Sequence, residues 1–180
     1  SLVLALFALV SGSKEFDLAL DAASAGAAIL TVASATTGYL TFLNIFDATP
    51  SADAAFGEQL GRFLVDTDAG RAWLMTAVAG AALTVLAFAV RGWLATLLVT
   101  LLAIAAMVPM ASVGHAGNEA NHNTAVTALA FHIIAAAVWL GGLLLIVLLR
   151  PLLGRDRLAH VLSRYSSLAL AAFLVVTISG

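Results

Sequence analysis

The sequence predicts an all-α protein, a polytopic transmembrane helical bundle with about six spans, and three observations lead there. The first is composition. Of the 180 residues, 62% are hydrophobic and 10% charged, whereas soluble domains carry roughly 25% charged residues, and the mean hydropathy is +1.06. The second is the length of the apolar runs, because a hydrocarbon core of about 30 Å is crossed by roughly 20 apolar residues in a helix. The third is that the period-two alternation needed by barrel strands is missing. Lipid offers no partners to backbone N–H and C=O groups, so helices, which satisfy them internally, are what remains.

Taken in order, residues 1–12 read as the partial end of a first helix, too short to span alone, and SGSKEFDLALD as the turn after it. A second span covers about 22–42, where Ala27, Thr31, Ser34, Gly38 and Thr41 recur at the three- and four-residue spacing by which membrane helices approach closely. The polar stretch that follows places Phe56, Leu60, Phe63 and Leu64 at helical spacing among Asp53, Glu58 and Asp66, and predicts an amphipathic helix in the interface over about 53–65. GEQLG within it matches GxxxG but lies outside any apolar run, so it is not read as a dimerisation face. A third span is expected over about 71–90, and a tight Arg91-Gly92 connection leads to a fourth over 93–113. The fifth covers 124–149, and a basic loop, RPLLGRDRLAH, precedes a partial sixth at 163–180. No internal repeat is visible, and residues 1–180 read as one transmembrane domain. Ser1 and Gly180 both fall inside apolar runs, so both ends are expected to be truncated from a longer chain, and no basic segment marks a cleavable signal peptide.

A net charge of −2 gives a nucleic-acid partner no electrostatic support, so the expected partner is the lipid bilayer. Cysteine is absent, which leaves histidine, methionine and carboxylates as metal ligands. Alternation of the spans puts Lys14, Arg91, Arg150, Arg155, Arg157 and Arg164 at one face, and Arg62 and Arg71 at the other. By the positive-inside rule the first face is cytoplasmic, and the Gly114 to Asn123 loop faces outward.

That loop and the helix after it, GHAGNEANHNTAVTALAFHIIAAAVWLGG, hold three of the four histidines. An ionisable side chain inside a span is costly and usually faces a bundle interior or a water-filled cavity, which marks His132 as the leading candidate. The other reading of His132 is a buried histidine hydrogen-bonded to a Ser or Thr across a helix interface. Trp139 shares its helix face, while Gly141 and Gly142 admit a close neighbour. His115 and His122 lie in the loop, and Met107, Met110 and Met75 map to the same outer layer. Imidazole and thioether together suit copper, thioether favouring the reduced ion, although methionine also fills irregular gaps in cores. Neither HExxH nor GxSxG occurs, and no catalytic residue is assigned. Ligand imidazoles must be unprotonated, so copper binding is expected to weaken below about pH 6.5. A b-type haem held by His115 and His132 for electron transfer is the alternative. A subunit or assembly factor of a respiratory complex that binds no metal is a further one.

GHA with its histidine loop, then FHIIAAAVWLGGLLLIVLLRPLL, then RYSSLALAAFLVVTISG, resembles the CopD family of bacterial inner-membrane copper resistance proteins. DTDAGRAWLMTAV is similar to the segment preceding that core in fusions of a CopD domain to a CtaG-like cytochrome oxidase assembly domain. The resemblance extends over about Ala22 to Gly180 and implies a protein, not an enzyme, that binds, moves or delivers copper at the cytoplasmic membrane. It implies a periplasmic copper-binding protein or cytochrome oxidase as partner. Its matching positions are His115, His122, His132, Trp139, Gly141 and Gly142, and Tyr165 stands where the family leads one to expect phenylalanine.

Overall fold

The computed structural model describes residues 2–111 and 122–179, with the backbone alone for 110, 111 and 122–124. Among the described residues there are eight helices and no strand: α1 (Leu2–Ala8), α2 (Lys14–Phe46), α3 (Ala54–Asp66), α4 (Asp68–Ala89), α5 (Trp93–Ala105), α6 (Val108–Ala111), α7 (His122–Leu149) and α8 (Arg155–Ser179). Four of them, α2, α4, α7 and α8, are long and apolar enough to cross a membrane. Where six spans are expected from the sequence, α1 has 7 residues and α5 has 13, about 20 Å of helix.

The expected span over 93–113 is broken. Pro109 has no N–H to offer the carbonyl four residues back, and its ring crowds that carbonyl. The residue four back is Ala105, where α5 ends; a turn at Ala106 and Met107 then leads into α6. Two helices also begin earlier than expected. SGSKEFDLALD is a turn only as far as Ser13, whose side chain accepts from the Phe16 N–H at 3.2 Å and caps α2, with Glu15 and Asp17 in the favourable first turn. The second half of the supposed basic loop, RDRLAH, forms the opening turns of α8. Charged residues there mark helix ends emerging from the apolar layer, not loops.

The expected small-residue stripe is where α2 meets α4. A Cβ on Gly38 would lie 2.9 Å from the Trp73 Cβ, and one on Gly80 would lie 2.7 Å from the Thr31 hydroxyl oxygen. Ser34 is buried, and the Ser24 hydroxyl donates across the interface to the Thr84 carbonyl at 2.8 Å. A helix, α3, runs from Ala54 to Asp66, where an amphipathic interfacial one is expected over about 53–65. α3 places Phe56 and Phe63 against Phe42 and Phe46 of α2, with ring centroids 5.4 to 6.2 Å apart. The short α1 is drawn into the bundle, with its Leu4 and Ala5 fully buried in one core with Phe16 of α2 and Leu145 and Leu149 of α7.

Charge sorts the two ends. Arg91, between α4 and α5, pairs with Asp21 at 2.8 Å and Asp17 at 3.6 Å, and its carbonyl accepts from the Ser11 hydroxyl. Arg157 of α8 reaches Glu15 at 3.0 Å, and the Arg164 guanidinium lies 5.1 Å from the centre of the Phe7 ring. The α1–α2, α4–α5 and α7–α8 connections therefore share one end of the bundle. Arg62 and Arg71, at the other, form local helix pairs with Glu58 and Asp68 among the described residues.

Candidate copper site on the two faces of α7

His132 stands ten residues into α7, about 15 Å from its start. Its Nδ1 lies 3.5 Å from the Ser179 hydroxyl oxygen near the end of α8, a cross-helix hydrogen bond between a histidine and a serine. Trp139 shares this face and sets its ring edge-on to Phe173 of α8, centroids 6.0 Å apart. The Trp139 carbonyl accepts from the Tyr165 hydroxyl at 3.0 Å. A Cβ on Gly142 would lie 2.8 Å from the Tyr165 ring, so the glycine is the seat into which that ring fits. The face carrying His132 is thus the α8 interface.

The opposite face of α7 borders a partly open central cavity of about 320 Å³ lined by α1, α2, α4, α5 and α7. Its lining includes Gly26, Leu83, Thr100, Met107, Ile134 and Gly141. The Thr100 hydroxyl donates to the Thr96 carbonyl of its own helix, so the wall offers little polarity. Residues 134, 138, 141, 145 and 148 on this wall are turned about half a helical rotation from His132, at 3.6 residues per turn. Met107 and Gly141 therefore belong to the cavity, while His132, Trp139 and Gly142 belong to the α8 interface.

This divides the ligand set expected from the sequence. Met107 is not brought to His132, because α7 lies between them. Met75 is 56% exposed on the outer surface of α4 and joins neither. His115 lies outside the described residues. So do the side chains of His122, which opens α7, and Met110, which belongs to α6. Among the described residues no group of three histidine or acidic side chains is gathered to hold a metal ion. Sequence reasoning did not single out Ser179, the residue that meets His132. The available signal was a hydroxyl near the end of the next apolar run, matched in depth to His132 by an antiparallel α7–α8 pair.

A family model described as copper resistance protein D-like, N-terminal domain, matches residues 2–124. The chain belongs to this family. The matched range of this CopD-like chain runs from α1 through α6 to the opening of α7 and includes Met75, Met107, Met110, His115 and His122. His132, Trp139, Gly141 and Gly142 lie beyond it. The motifs behind the resemblance lie mostly after Gly114, so match and motifs cover largely different parts of the same CopD-like chain. No curated protein and no solved structure matches it.

Proposed function

We propose that this multi-pass membrane protein handles copper at the bacterial cytoplasmic membrane, capturing the ion on the outer face and passing it inward or to an oxidase under assembly. The observation that carries the reading is an imidazole, His132, set in an apolar span of a CopD-like chain. An ionisable group at such depth is retained at a cost, which suits a ligand better than a packing element. In this reading His115 and His122 are imidazole donors for capture at the outer end of α7, and His132, about 15 Å further along the helix, is a separate imidazole donor deeper in the span. Met107 is a separate soft donor facing the cavity, and Met110 is its companion in the proposed ligand set. Copper is cargo, so no bond-making step is required of the protein. The partner is a periplasmic copper-binding protein or the oxidase, and the arginine-rich end faces the cytoplasm.

Copper titration of the purified protein in detergent tests this. His132→Ala and His115→Ala should each abolish stoichiometric binding or weaken it at least tenfold; unchanged affinity in both would sink the assignment. An optical spectrum of the same sample addresses the haem alternative, which a Soret band would establish. A macrocycle in the central cavity would gain no axial imidazole from His132, whose face is turned to α8.

A further inference from the structure

The Ser179 hydroxyl oxygen has three neighbours: the Val175 carbonyl at 2.6 Å, the Val176 carbonyl at 3.4 Å, and the His132 Nδ1 at 3.5 Å. A serine carries one proton. Carbonyl oxygens cannot donate, so the short contact to Val175 exists only if Ser179 spends its proton there, as serines inside helices commonly do toward the carbonyl four residues back. What Ser179 then shows to His132 is a lone pair. A hydrogen bond between them therefore requires the proton on Nδ1, and a neutral imidazole has only one N–H. Nε2 is left unprotonated, and it has no hydrogen-bond partner among the described residues.

We propose that Ser179 is a positioning residue that holds His132 in the Nδ1–H tautomer and so presents Nε2 as the nitrogen that takes the metal. The tautomer part stands on the hydrogen-bond geometry alone, while the ligand part rests on the copper-handling reading above. Free imidazole side chains favour the opposite tautomer, so the residue that imposes this one does work that a packing serine would not. Fixing the second ring nitrogen is a general way to orient a histidine ligand, and removing such a partner typically costs 10- to 100-fold in metal affinity. It also reconciles the two readings of His132. A histidine bonded to serine across an interface and a histidine poised for a metal are the same arrangement seen from its two nitrogens.

The test uses the full chain in lipid nanodiscs with 15N-labelled imidazoles, His132 being assigned by its disappearance in His132→Gln. In metal-free protein at pH 8, the expected spectrum has a protonated Nδ1 and an unprotonated Nε2. Ser179→Ala should move the proton to Nε2, and Ser179→Thr, which keeps a hydroxyl able to donate four residues back, should leave it on Nδ1. Cuprous ion should then shift Nε2 in the wild type and in Ser179→Thr, with affinity 10- to 100-fold weaker in Ser179→Ala. Nε2–H in the wild type, or a Ser179→Ala protein with unchanged tautomer and affinity, overturns the proposal. The stated tautomer together with full copper binding by His132→Ala would uphold the positioning by Ser179 and overturn the copper ligand instead.

Discussion

Tyr165 joins α8 to α7 through two separable contacts, a hydroxyl bonded to the Trp139 carbonyl and a ring seated on Gly142. The phenylalanine expected at that position from the family resemblance would keep the second and lose the first. Tyr165→Phe should therefore destabilise by about 1 kcal/mol, the net worth of one hydrogen bond. Gly142→Val should cost more, about 1–3 kcal/mol, because its new side chain meets a packed ring. Unfolding of both variants in detergent checks the order; an equal or reversed pair would show that the ring is not seated as described. At this scale the sequence exposed Trp139, Gly141, Gly142 and Tyr165 separately. That Tyr165 fills the space left by Gly142 was hidden, since helical spacing relates residues on one helix and says nothing of the phase of the next.

Among the elements, α3 shows how a short amphipathic helix is anchored to a long apolar one. Its apolar face offers Phe56 and the fully buried Phe63 to the aromatic end of α2, and Gly70 at the start of α4 lies so close to the Phe63 carbonyl that a Cβ there would sit 2.0 Å from the oxygen. Phe63→Ala should cost about 3–5 kcal/mol locally and, by freeing α3 from α2, speed protease cleavage in the already exposed segment 47–53. Gly61→Ala on the same helix, where an added Cβ meets nothing within 4 Å, should leave cleavage unchanged. Equal cleavage of both variants would contradict an aromatic anchor. α3 was legible because amphipathic period survives in a polar stretch. The starts of α2 and α8 were not, because charges at a helix end and charges in a loop look alike until a cap such as Ser13, or a partner such as Glu15 for Arg157, is known. The break after α5 was written in Pro109, but an apolar run on both sides concealed it.

For the whole molecule, the gathering of Arg91, Arg157 and Arg164 with the α1–α2 turn agrees with the alternation inferred from charge alone. Half-exposed ion pairs contribute only about 0–1 kcal/mol each, so these contacts report which connections share an end more than they hold the bundle together. The chain has no cysteine, which makes its sidedness easy to measure. Gly154→Cys, in the α7–α8 connection, should react with a membrane-impermeant maleimide only after the membrane is opened. Ala52→Cys, in the exposed segment before α3, should react in intact spheroplasts. Labelling of both from the same side would refute the arrangement. The all-α bundle and the common end of its arginines were therefore readable from hydropathy and charge, whereas the number of full-length spans and their lateral arrangement were not, because apolar composition does not distinguish a face toward lipid, a cavity or another helix.

With Met107 facing the cavity and His132 facing α8, α7 stands as a partition between the thioether and the imidazole that the proposed function assigns to copper. A single copper ion cannot be shared across that wall, so the two donors are not parts of one coordination sphere. In the copper-handling reading proposed above they would be successive stops, and an ion that used both would have to change hands around the helix.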